Sequence, residues 1–168
     1  MIKKIIILLF SFVFCCSFFL PVNADTSDTF DISVAGEYIW IDITNASWDI
    51  GVVSMSSSHY TNETGLTFIA DMDNCTVNTD LKLQITGDAS TWSSATSGNS
   101  PDADTYRLNA SIDTWTSENQ IVTSSATVIS SSIAAGTNET FDLRFDAPTS
   151  TSTGDSQSIT NTASLVKT

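Results

Sequence analysis

Glu37-Tyr-Ile-Trp-Ile-Asp-Ile-Thr44 alternates along its length, with Ile39, Ile41 and Ile43 on one side of an extended chain and Tyr38, Trp40 and Asp42 on the other. Successive side chains of a β-strand point to opposite faces, so this spacing predicts a strand with one buried face. The same period recurs downstream. Asp80-Leu-Lys-Leu-Gln-Ile-Thr86 aligns Leu81, Leu83 and Ile85, and Thr105-Tyr-Arg-Leu-Asn-Ala-Ser-Ile112 aligns Tyr106, Leu108, Ala110 and Ile112. Thr140-Phe-Asp-Leu-Arg-Phe-Asp146 sets Phe141, Leu143 and Phe145 against Asp142, Arg144 and Asp146. Shorter strands are expected at residues 30–34, 47–54, 66–70, 121–123, 126–130 and 158–166. Turn-forming residues lie between them: Gly36, Thr61-Asn-Glu-Thr-Gly65, Gly87-Asp88, Gly98-Asn-Ser-Pro-Asp102, Gly136-Thr-Asn138, Pro148 and Gly154-Asp155. Each is a position where glycine, proline or a short polar side chain stabilises a reversal. Past residue 24 no segment repeats apolar residues at helical spacing for more than a turn, and stiff β-branched residues dominate. An all-β domain follows, a single antiparallel β-sandwich of about 8–10 strands whose apolar faces meet between two sheets.

The first 24 residues are made differently. Lys3 and Lys4 precede an uncharged apolar stretch at residues 5–20, and Pro21-Val-Asn-Ala24 ends on the small residue an export peptidase prefers. Residues 1–24 are therefore read as a cleaved signal peptide and residues 25–168 as the mature sandwich domain, secreted or held at the cell surface. An uncleaved anchor is the alternative, since the apolar stretch falls only slightly short of a spanning helix. The mature part carries four cations (Lys82, Arg107, Arg144, Lys167) against all 19 acids, a net charge of −15, and Ser and Thr supply a third of it. Such a surface repels phosphate backbones and anionic bilayers, so nucleic acid and the membrane surface are excluded as partners. Cleavage leaves Cys75 as the single cysteine, which permits no internal disulfide. It is expected to pack as a small apolar residue, an intermolecular disulfide being the sharper alternative.

The inventory for catalysis is thin. His59 is the only histidine and sits in Ser56-Ser-Ser-His-Tyr60, read as a loop, so neither a two-histidine metal site nor a triad needing a second histidine can be built. No nucleophile elbow, phosphate loop or dinucleotide fingerprint occurs, and the chain is read as a non-enzyme. Calcium is the candidate cofactor. Asp71 and Asp73 in Asp71-Met-Asp-Asn-Cys75, and Asp102 and Asp104 in Pro101-Asp-Ala-Asp104, place carboxylates two apart in expected loops, where oxygens gather round a hard cation or merely cap the turn. Trp92 and Trp115, flanked by polar residues, are the candidate stacking platforms for a polysaccharide, with core anchoring as the competing role. Asn45, Asn62, Asn74, Asn109 and Asn138 head sequons and are candidate glycosylation sites.

Ser47-Trp-Asp-Ile-Gly-Val-Val53, then Leu66-Thr-Phe-Ile-Ala-Asp71 and the strand to Ile85, resembles immunoglobulin-like modules of bacterial and archaeal surface proteins. The run from Phe141 to Pro148, the turn at Gly154 and Gln157-Ser-Ile-Thr160 look like the closing hairpin of such modules. A more distant similarity is to secreted fibre-forming sandwich subunits of biofilm matrices. The resemblance covers about half of the mature chain, implies an extracellular scaffold or adhesive part, and carries over no catalytic residue. The expected function is a secreted structural subunit of the cell surface or of an extracellular filament. It would associate with itself or with other surface proteins, through edge strands that pair with the arm at residues 25–31 or the tail at residues 158–167 of a neighbour. The alternative is a carbohydrate-binding adhesion module using calcium.

Overall fold

The 80–86 alternation forms β4 (Thr79–Gly87), the middle strand of a three-stranded sheet, with β10 (Thr160–Lys167) and β8 (Thr127–Ile133) antiparallel on its two sides. The computed structural model describes Thr29 and residues 31–168; the predicted signal peptide and Phe30 lie outside the described residues. The chain divides into two units, Met1–Ala35 and Gly36–Thr168. In the first, the described residues are exposed and without secondary structure. The strand expected at residues 30–34 is therefore not formed over its described part, because alternation alone makes no strand without a ladder to satisfy the backbone.

In the second unit, the other sheet has seven strands: β1 (Asp42–Thr44), β2 (Ser58–Tyr60), β3 (Phe68–Asp71), β5 (Ser93–Ser94), β6 (Thr105–Ser111), β7 (Asn119–Ile121) and β9 (Glu139–Asp146). Its main path runs β1-β3-β9-β6-β5, with β2 also on β9 and β7 also on β6. All pairings are antiparallel except β5 with β6. Between the sheets one core joins Leu81, Leu83 and Ile85 of β4 to Tyr106, Leu108 and Ala110 of β6 and to Phe141, Leu143 and Phe145 of β9. Tyr106 and Trp92 both stack on Phe145, at 5.6 and 6.3 Å between ring centroids, and Phe68 stacks on Phe141 at 5.3 Å. The antiparallel sandwich of ten strands is thus as expected.

Local departures have local causes. Residues 47–54 form no strand, because Asn45 (φ 61°) and Gly51 (φ 71°) turn the backbone into the left-handed region, and Trp48, Ile50 and Val53 reach the core from an irregular path. His59 lies in β2 rather than a loop, opposite Phe145. Ile112, expected inward, is 41% exposed because β6 stops at Ser111 and the chain turns through Thr114 (φ 58°) and Trp115 (φ 67°).

The 37–44 alternation becomes regular strand only at β1. Beyond it the ladder is completed by side chains. The Trp40 amide donates to Cys75 Sγ (3.3 Å) and the thiol donates to the Trp40 carbonyl (3.1 Å), while the Tyr38 amide donates to Thr76 Oγ1 (2.7 Å) and the Thr76 amide to the Tyr38 carbonyl (2.9 Å). Cys75 is buried, which removes it from reach of a second chain and corrects the intermolecular disulfide alternative.

Candidate functional site

Register assembles the densest polar site of the domain. Arg107 faces Asp146, Asn109 faces Arg144 and Ser111 faces Asp142 across β6 and β9, while Ser58 and Tyr60 of β2 lie opposite Asp146 and Arg144. With Tyr106, Leu108 and Ala110 turned inward, these side chains share the outer face of the seven-stranded sheet. Asp146, 6% exposed, accepts from Arg107 Nε (2.8 Å) and from Ser58 Oγ (2.6 Å), and Arg144 Nε approaches it to 3.2 Å. Arg144 also ion-pairs Glu118, which accepts from Asn109 Nδ2 (2.8 Å), and its guanidinium lies 5.8 Å over the Tyr60 ring. Both arginines are spent inside this network. In the sequence the signal was Asp142, Arg144 and Asp146 at every second position, but their partners became readable only once register was known.

A fastened loop closes over one end of this face. Ser111 Oγ donates to Asp113 (2.8 Å) and accepts from the Trp115 amide (3.0 Å), while Asp113 accepts from the Ser117 amide (2.9 Å) and hydroxyl (2.7 Å). The Ser117 hydroxyl and amide, followed by Ser111, hold the Asp113 carboxyl down at about 2. Trp115 is half-buried and meets Tyr60 edge-on at 5.1 Å. Its indole nitrogen and Asn109 Oδ1 are buried without a hydrogen-bond partner.

The remaining sequence candidates scatter. Trp92 is no platform: it is 8% exposed, with one side stacked on Phe145 and Nε1 donating to Thr151 Oγ1 (2.8 Å), which settles it as a core anchor. The acids serve their own turns. Asp71 accepts from the Asp73 amide (3.1 Å), Asp102 from the Ala103 amide (2.8 Å), and Asp104 from the Ser152 amide (2.7 Å), which is the main reason its carboxyl sits below the usual range. Among the described residues no three His, Cys, Asp or Glu side chains converge to hold a metal. Of the five sequon asparagines, Asn45, Asn62, Asn74 and Asn138 are exposed. Asn109 is 3% exposed in the middle of β6, so a glycan cannot be accommodated there, and that candidate is corrected. His59 Nε2 lies 2.8 Å from Ser57 Oγ, whose own proton is directed at the Ser54 carbonyl (2.6 Å). The hydroxyl therefore accepts from the ring and has no proton to give it.

The sheet edges differ sharply. On the seven-stranded sheet β1, β2 and β7 have three residues each and β5 has two. In the smaller sheet β8 is irregular: its ladder to β4 shifts register on both sides of Leu81, Ser132 has φ 54°, and the Ser132 amide is taken by Asp80 Oδ1 (2.9 Å). By contrast β10 spans eight residues, shifts only between Thr160 and Asn161, and belongs to a stretch with no charge from Ser156 to Val166. Lys167 at its end is ion-paired with Glu37. The tail is thus paired at home along β4, and among the described residues its other side forms the edge of the sheet. Comparison with known protein families, with curated proteins and with solved structures finds no match for this chain. What stands established is an all-β antiparallel sandwich with one long edge strand whose single charge is Lys167 at its end.

Proposed function

We propose that the mature chain is an exported, non-enzymatic structural subunit of the cell surface or of an extracellular filament, an immunoglobulin-like module that associates through its sheet edges with copies of itself or with other surface proteins. The observation that carries this reading is the β10 edge. Natural sheets blunt exposed edges with charge, proline, bulges or brevity, because a row of unpaired amides and carbonyls recruits another strand. The short edges of the larger sheet and the irregular β8 follow that rule, whereas β10 carries such features only at its two ends, the shift at Thr160/Asn161 and Lys167. The charged head of the chain and the four exposed sequon asparagines fit export and a hydrated outer surface. Electron microscopy of the secreted protein tests the reading: fibres or ordered lattices are expected, and dispersed monomers at every concentration contradict it.

A second reading, a carbohydrate-binding adhesion module, is favoured by Trp115 alone. Its half-buried ring beside Tyr60 and its unpartnered indole nitrogen are features of a saccharide contact. A glycan array probed with and without chelator separates the readings. Reproducible binding that Trp115→Ala removes supports the second, and an empty array supports the first.

A further inference from the structure

We propose that the open edge of β10 receives residues 30–34 of a second copy of this chain, joining subunits head to tail; this rests on the reading of the protein as an assembling subunit. The inserted segment is Phe30-Asp-Ile-Ser-Val34, which carries Phe30, Ile32 and Val34 at every second position. Ile32 is 77% and Val34 87% exposed, and residues 31–34 join no sheet. Two adjacent alternate positions bearing large aliphatic side chains in water are the pattern of a strand whose sheet lies elsewhere.

The edge presents the complementary features. On the inward side of β10, Ala163 and Leu165 are only partly buried against the core, as is Ile159 just before the strand, so the rim of the sandwich is incompletely covered here. With Ile32 and Val34 turned to the rim, Asp31 and Ser33 turn to the outer surface. There β4 presents Lys82, opposite Ser164 of β10 and one strand removed from the added segment, so the one acid of the segment turns to the side that carries one of the four cations of the mature chain. Elsewhere two copies at −15 repel, and an uncharged edge is where approach costs least.

The alternative in which two β10 edges pair with each other is isologous and stops at a dimer, whereas a segment entering a neighbour's edge is heterologous and repeats. Only the second builds the filament or lattice of the proposed function. Because the contact hides apolar side chains while copies repel at long range, added salt is expected to strengthen it.

The test combines sedimentation velocity with amide exchange, on the full chain and on the same chain carrying Ile32→Asp and Val34→Asp, two changes at exposed positions. A synthetic peptide of residues 29–35 is added separately. Expected are oligomers of the unaltered chain that grow with concentration and salt, association at least tenfold weaker in the double variant, and β10 amides protected when the peptide binds that variant. Oligomers undiminished in the double variant, or peptide protection falling on β8 or the short edges, overturn the proposal and leave the assembling-subunit reading standing. A closed dimer that survives both substitutions shows pairing between β10 strands and overturns it as well. Protection of residues 31–34 that is independent of concentration places the segment on its own chain and does the same. An unaltered chain that stays monomeric throughout, with β10 unprotected by peptide, brings down both.

Discussion

The two sheets of the sandwich meet the same core but treat solvent in opposite ways. The larger sheet has edge strands of two or three residues and an outer face on which Arg107, Arg144, Asp146 and Glu118 bind one another. The smaller sheet has three strands and ends in eight-residue β10, whose flank carries no charge before Lys167. Charge in this chain is scarce among its cations, and both arginines are committed where register lets acids surround them. The difference teaches that the larger sheet is finished as a surface, while the smaller one keeps the backbone of β10 available. That contrast is the observation on which the proposed association rests.

The comparison can be broken in order of expected effect. Phe145→Ala removes the ring on which Tyr106 and Trp92 both stack. It should destabilise the domain by about 3–5 kcal/mol, read as a lower urea midpoint. Next, Asp146→Ala leaves Arg107 and Arg144 without their shared carboxylate and should cost about 3 kcal/mol in the same assay. As the control for that loss, Thr162→Ala on the exposed face of β10 should change stability by less than about 0.5 kcal/mol. Equal losses at Asp146 and Thr162 would erase the distinction between the locked face and the open edge. Cys75→Val deletes both thiol contacts to Trp40 and should cost about 1 kcal/mol, with loss of exchange protection at the Trp40 amide. Unchanged protection there would show that the thiol is not what holds residues 38–40.

The smallest effect is electrostatic. Asp113 titrates at about 2 when folded, below its ordinary value of 3.8. A depressed carboxylate contributes stability that is complete above its unfolded value and is lost as pH falls through the folded one. The loop over the larger sheet should therefore loosen between about pH 4 and pH 2, seen as a change in Trp115 fluorescence, and Asp113→Asn should flatten that response. A response identical in the variant would assign the acid transition to another carboxylate.

How far the sequence could be read depended on how local the determining force was. β4, β6 and β9 were legible because each buries every second side chain, and a period of two is visible without knowing the partner. Residues 47–54 misled because Trp48, Ile50 and Val53 are apolar for the same reason, burial, yet reach the core along a path bent at Asn45 and Gly51. β2 and β5 were missed since two or three residues such as Ser58-His-Tyr60 contain no period, and only pairing with β9 or β6 makes them strands. Trp92 resembled a loop platform by its polar neighbours, but tertiary stacking on Phe145 decides its burial. The charged face was hidden for the same reason: Arg107 and Asp146 are 39 positions apart, and neither announces the other. The β10 edge was half legible, as an uncharged terminal stretch whose role as an edge required the strand order.

Amide hydrogen exchange across a dilution series measures the central claim, that this molecule is closed along its larger sheet and open along β10. Protection of the β10 amides that do not bond to β4 should rise with protein concentration while the exchange of β6 and β9 stays constant. Protection of β10 that is the same at every concentration, or a rise confined to the larger sheet, would contradict it.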